Sequence, residues 1–121
     1  MAKVLIAEDD PLSQRFVSTV LERMGHSTFV SPNGRHAWET IRAENHFDML
    51  ITDIMMPGMD GTTLIRTIRA EERFKDLPII IMSAFIGMSD ISNLLDIGAT
   101  WFMAKPVEIA VLEEYVNRAL K

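Results

Sequence analysis

Short runs of apolar residues alternate along this chain with longer stretches whose apolar residues recur every third or fourth position. The short runs are Val4-Leu5-Ile6-Ala7, Thr28-Phe29-Val30, Met49-Leu50-Ile51-Thr52, Ile79-Ile80-Ile81-Met82 and a weaker Trp101-Phe102-Met103. The first, third and fourth are apolar on both faces. A strand of that kind must be covered on both sides, as in a parallel sheet carrying helices above and below. The stretches between supply such helices. Leu12, Phe16, Val20 and Met24 fall every fourth residue, joined by Val17 and Leu21. That stripe predicts an amphipathic helix. Asp10-Pro11 reads as its N-cap and first position, and Gly25 as its C-terminal glycine.

Four more helices follow the same logic. They are predicted over about 34–44 (Ala37, Trp38 and Ile41 inward), 61–72 (Leu64, Ile65, Ile68), 89–97 (Ile91, Leu94, Leu95) and 107–120 (Leu112, Tyr115, Val116, Ala119). Five repeats of strand then helix define an α/β fold with a parallel sheet and right-handed crossovers. A length of 121 residues fits one domain, 1–121, and an output domain is not expected after the fifth helix.

Composition removes several function classes. Twelve basic against seventeen acidic residues leave a net charge of −5, which opposes a nucleic-acid partner. Cysteine is absent, so disulfides, thiol nucleophiles and thiolate metal sites are excluded. No run approaches the ~18 apolar residues of a membrane helix, and the N-terminus lacks a signal peptide's plan. The expected location is the cytoplasm, away from membranes.

In open α/β sheets, ligands bind beyond the carboxyl ends of the strands. Those ends carry Glu8-Asp9-Asp10 after the first strand, Asp53 after the third, Ser83 after the fourth and Lys105-Pro106 after the fifth. Neighbouring first and third strands would crowd several carboxylates onto one rim, at a cost that a proton or a cation relieves. A hard divalent cation with oxygen ligands suits them, and Mg²⁺ best, since it keeps waters for phosphate oxygens. Lys105 could grip a phosphoryl oxygen and Ser83 could donate to the same group. An ionised Asp53 needs no base to act as a nucleophile. Together these residues suggest aspartyl-phosphate chemistry.

The runs Val4–Asp10, Asp53-Ile54-Met55-Met56-Pro57-Gly58-Met59-Asp60-Gly61, Ser83-Ala84 and Gly98-Ala99 leading to Lys105-Pro106 resemble a response-regulator receiver domain of the CheY-like type. The resemblance spans nearly the whole chain. It implies a doubly wound five-stranded sheet in the order 2-1-3-4-5 flanked by five helices, with Asp53 as phosphoacceptor. It further implies Asp9 as direct metal ligand, Glu8 as outer ligand through water, and Met55 as donor of a backbone carbonyl to the Mg²⁺. Ser83 matches the switch hydroxyl, Lys105 the phosphate-binding lysine, Lys105-Pro106 a cis peptide, and Phe102 the switch aromatic, often Tyr in relatives. Asp10 falls outside the acidic pair and is assigned to the helix cap.

The implied function is a stand-alone switch or phosphorelay intermediate. It takes its phosphoryl group from a histidine kinase or histidine phosphotransfer protein. It then alters the face of the fourth helix, fifth strand and fifth helix for a downstream target, as a monomer or weak dimer and not as a turnover enzyme. Trp101 is expected to enlarge that face, and Phe85-Ile86-Gly87-Met88 to form a docking patch or pack on the fourth helix. His26, His36 and His46 are read as solvated, as is the Glu108, Glu113, Glu114 cluster, and the nine methionines as gap-fillers.

Three rivals remain. A haloacid-dehalogenase-type phosphohydrolase needs a second Asp two residues after the nucleophile, where this chain has Met55. A flavodoxin-like cofactor binder needs a hydroxyl- and Gly-rich loop where this chain has Glu8-Asp9-Asp10-Pro11. A phosphorylation-independent binding module would not use the acceptor at all.

Overall fold

The structure is a computed structural model that describes residues 1–43, 46–84 and 88–120, without the side chains of 88–91. Five strands, β1 (Lys3–Ala7), β2 (Ser27–Ser31), β3 (Met49–Asp53), β4 (Ile79–Ser83) and β5 (Trp101–Ala104), alternate with five helices. These are α1 (Pro11–Arg23), α2 (Gly34–Ala43), α3 (Gly61–Arg69), α4 (Met88–Asp96) and α5 (Ile109–Ala119). All strand pairs are parallel and the order is β2-β1-β3-β4-β5.

The strands alternate their side chains between two cores. Leu5, Ala7, Leu50, Ile79 and Ile81 pack under α2, α3 and Leu94 of α4. Val4, Ile6, Met49, Ile51, Ile80, Met82 and Met103 pack under α1 and α5. Each fully buried Leu or Ile contributes roughly 1.5–3 kcal/mol, which is why the runs apolar on both faces occupy the centre of the sheet. At the β2 edge, Phe29 and Val30 stay partly exposed. There the Lys3 ammonium sits 4.8 Å from the ring centroids of both Phe29 and Phe47.

Several predicted details differ. Leu12 opens α1 on the expected stripe but is 79% exposed, because it lies beyond the end of the sheet that covers Val17, Val20 and Leu21. Leu95 is 44% exposed while Leu94 is buried, so α4 presents a narrower stripe than its sequence suggests. α3 ends at Arg69, short of the predicted residue 72, and a single 3₁₀ turn, Glu72–Phe74, follows. The Arg69 guanidinium turns back there to donate to the carbonyls of Gly98, Phe74 and Leu77 at 3.0, 2.6 and 2.6 Å. α5 starts at Ile109, two residues after its expected start.

Trp101 and Phe102 point to opposite sides of the sheet. Successive strand residues point to opposite sides, so Phe102 packs on the α2–α3 core while Trp101 packs on the other with Tyr115. His26 and His36 are not simply solvated. Ala2 N–H donates to His26 Nδ1 at 3.0 Å, and His36 Nδ1 lies 2.8 Å from Ser31 Oγ. Burial, then the nearby N-terminal charge, holds the His26 pKa below its ordinary value against the pull of Asp48. The patch expected at Phe85-Ile86-Gly87 and the inward Ile91 fall outside the described residues and side chains.

Candidate functional site

The pairing of β1 with β3 sets Ala7 opposite Thr52, so Glu8 and Asp53 follow side by side at the carboxyl end of the sheet. Oxygens of Glu8, Asp9 and Asp53 lie within 4.8 Å of one another. Asp9 is exposed, whereas Glu8 is 0% and Asp53 6% exposed. Lys105, two strands away on the far side of β4, reaches back across the rim. Its Nζ donates to Asp53 Oδ2 at 2.5 Å and to Glu8 Oε1 at 2.7 Å.

Each group is held by its element's local chemistry. Asp10 caps α1, its Oδ2 accepting from Ser13 N–H at 3.0 Å, and so lies outside the acidic pocket as expected. Its own N–H donates to Glu8 Oε2 at 3.1 Å, and Gln14 Nε2 donates to the Glu8 carbonyl at 2.6 Å. Asp53 Oδ1 accepts from Ile54 N–H at 2.6 Å and Met55 N–H at 3.2 Å. The loop after β3 thus aims the carboxylate that Lys105 holds from the other oxygen. The loop closes where Gly61 N–H donates to the Ile54 carbonyl at 2.8 Å. Only glycine fits there, since a Cβ at Gly61 would lie 2.3 Å from the Asp53 carbonyl oxygen. Asp60 caps α3 through Thr63 N–H at 2.9 Å.

Burial is the largest influence on Glu8 and drives its pKa up, reinforced by the Asp53 charge and only partly offset by Lys105 and the Asp10 N–H. Burial works against the Lys105 ammonium too, but its bonds to Asp53 and Glu8 prevail and its pKa rises. The Asp10 carboxyl is held below its ordinary value by the Ser13 N–H. Three carboxylates against one ammonium leave two negative charges, all on hard oxygen donors. That donor set fits a divalent cation such as Mg²⁺.

The remaining expected residues are placed as follows. Ser83 is 3% exposed, and its carbonyl accepts Lys105 N–H at 2.8 Å. It follows Met82, the register partner of Asp53. Lys105-Pro106 is cis. Met55 joins the site through its N–H, with its side chain exposed. Phe102 is not part of the acidic pocket. It pairs with Ile81 on β4 and is half-buried against the α2–α3 core. The Ile54 N–H and the Gln14 side chain, which contact Asp53 and Glu8, carry no sequence signal of those roles. Backbone donors leave no compositional mark, and Gln14 looks like any exposed helix residue. Beside the pocket runs an apolar groove of about 540 Å³ between α1 and the turn after β5, lined in part by Leu12, Phe16, Ala84, Pro106 and Val107, with Lys105 at its wall. The exposed Leu12 belongs to it.

The chain thus joins a doubly wound parallel sheet to a cluster of carboxylates and a lysine at its carboxyl rim. Residues 4–117 match the model of the response regulator receiver domain, and the chain belongs to that family. It is 33% identical over 119 residues to chemotaxis protein CheY1 of Helicobacter pylori, covering 98% of this chain and 96% of that one. It is also 32% identical over 106 residues to the rice two-component response regulator-like PRR73, of which it spans only 14%. Among solved structures, chemotaxis protein CheY4 of Vibrio cholerae superposes with a TM-score of 0.92 at 28% identity, covering 99% of both chains. The receiver domain of a sensor histidine kinase from Pseudomonas aeruginosa superposes at 0.89 and 28% identity, covering 98% of this chain and 97% of that one. That structure has a magnesium ion coordinated in its active-site cleft. Among the described residues, no helix is long and apolar enough to cross a membrane.

Proposed function

We propose that this receiver accepts a phosphoryl group on Asp53 from a phosphohistidine of a histidine kinase or phosphotransfer protein, and passes the change to a downstream target. The observation that carries this reading is Lys105 Nζ bridging Asp53 Oδ2 and Glu8 Oε1 within a cluster of three carboxylates. A carboxylate oxygen of Asp53 bonds to phosphorus as the phosphorus–nitrogen bond of the donor histidine breaks. The electron pair of that bond returns to the imidazole. Ile54 N–H keeps Oδ1 oriented during the approach. Lys105 moves from the carboxylate to a phosphoryl oxygen, and the Ser83 hydroxyl donates to another. Asp9 and Asp53, with Glu8 outside them and the Met55 carbonyl that the family resemblance assigns, would hold Mg²⁺. When bound, Mg²⁺ supplies charge neutralisation between the acceptor and the phosphoryl oxygens.

The phosphoryl group ends on the protein's own residue, so we read the chain as a switch and not as a turnover enzyme, at work in the cytoplasm. The groove beside Lys105 offers a donor protein contact area next to the acceptor. Drawing Ser83 toward the phosphoryl group frees space on the side of the sheet where Phe102 lies, and α4, β5 and α5 repack. Two or three new charge-assisted bonds, at roughly 1.5–3 kcal/mol each, match the ~5.5 kcal/mol needed to invert a two-state population.

The test is intact-mass measurement after incubation with acetyl phosphate and MgCl₂. Wild type should gain the mass of one phosphoryl group. Asp53→Asn, and wild type with excess chelator, should not. An unlabelled wild type would favour the phosphorylation-independent binding module. Continuous release of phosphate from simple esters would favour a hydrolase.

A further inference from the structure

Gly34, the first residue of α2, is buried against the loop that follows Asp53. A Cβ built on it would lie 2.1 Å from the Met59 carbonyl oxygen and 2.9 Å from the carbonyl carbon. These are backbone atoms that cannot rotate aside. Met59 closes the 54–60 loop, whose first two N–H groups orient Asp53 Oδ1. The loop is therefore pinned twice: Gly61 seats it on the end of β3, and Gly34 seats it from below on α2. Buried Met56 fixes its middle in the same core as Ala37 of α2. The first turn of α2 is itself anchored to the site's other side. Asn33 Oδ1 caps it through His36 N–H at 2.8 Å, and the His36 ring meets Ser31, whose carbonyl accepts Glu8 N–H at 3.0 Å.

We propose that Gly34 is a positioning residue for the phosphoacceptor: the close seat of the Met59 carbonyl on its Cα sets the height of the 54–60 loop and so the aim of Asp53. This rests on the phosphoacceptor reading of Asp53. A methyl group at position 34 must push the carbonyl from 2.1 Å to the ordinary contact range that begins near 3.4 Å, a retreat of about 1.3 Å. A misplacement of about 1 Å at a reacting group can cost ~10²-fold in rate.

The test compares Gly34→Ala with Ile41→Val, which loosens the same helix in the core away from the loop. Phosphorylation by acetyl phosphate and Mg²⁺ affinity are both measured well below each variant's Tm. Gly34→Ala should label about 10²-fold more slowly at saturating donor and bind Mg²⁺ about tenfold more weakly. Ile41→Val should lose stability yet match wild type in both. Equal labelling rates and Mg²⁺ affinities for Gly34→Ala and wild type would overturn the inference alone. A wild type that takes no label would overturn the acceptor reading and this inference with it. If Gly34→Ala does not fold, amide shifts of wild type under MgCl₂ titration decide. Gly34 and Met59 should move together with Ile54 as the site fills, and their standing still while Ile54 moves would refute the coupling.

Discussion

Replacing Lys105 with methionine keeps most of the side-chain volume and removes the only cation bonded to the buried carboxylates in the described structure. Glu8 is fully buried and the Asp53 side chain nearly so, and Lys105 itself is only one-fifth exposed. Solvent screening is therefore weak, and removing one partner of a buried pair commonly costs about 3–5 kcal/mol. The lower end applies, because Asp53 keeps its two loop N–H donors and Asp9 is solvated. At roughly 4 °C per kcal/mol for a domain of this size, Tm should fall by about 12 °C at pH 7.5.

The pH dependence separates this account from simple loss of packing. Without the ammonium, buried Glu8 loses the partner that partly offset its burial and holds its proton more tightly in the folded state than in the unfolded one. The variant's deficit should then shrink as pH falls through the carboxylate range, to under about 1 kcal/mol near pH 4. MgCl₂ at neutral pH should restore part of the loss in the variant and raise Tm less in wild type. Thermal unfolding followed by circular dichroism over pH 4–8, with and without MgCl₂, reads all of this. A deficit of equal size at every pH, unmoved by the cation, would refute the electrostatic reasoning.

Other consequences follow from the same geometry. Burial raises the Glu8 pKa, so its ionised form destabilises the metal-free fold increasingly as pH rises from its ordinary value of 4.5; Glu8→Gln should raise Tm at pH 7 without Mg²⁺, lose that gain below pH 4.5, and weaken Mg²⁺ binding in a calorimetric titration. His26 titrates below 6.5 in the fold, so its contribution should be present above pH 6.5 and lost as pH falls toward the folded value; the acid-side slope of Tm should flatten in His26→Gln, and an unchanged slope would rule this origin out. Asp60→Ala removes the α3 cap and should cost about 1 kcal/mol in urea unfolding, with little effect on Mg²⁺ affinity.

The sequence by itself determined the layers. Runs such as Met49–Thr52 and Ile79–Met82, apolar on both faces, can be buried only between helices, and the helical stripes between them supply the cover. Turn chemistry was equally local: Asp10, read as a cap from its place before Pro11, does cap α1. The chemical types at the strand ends were legible too, since every strand of a parallel sheet delivers its carboxyl end to the same rim.

Distances and partners were not legible. That Lys105 crosses β4 to hold both Asp53 and Glu8 depends on register and strand order, which pair residues 97 and 52 positions apart. The exposure of Leu12 depends on where the sheet stops beneath α1, not on its place in a helical stripe. The opposed faces of Trp101 and Phe102 follow from the two-residue period of a strand once β5 is paired. Backbone contacts such as Gly34 with Met59 emerged only from the packed fold. Local patterns follow from propensity and hydrophobic period along the chain. Long-range contacts follow from how two layers of helices settle on one twisted sheet, and that is a property of the whole molecule.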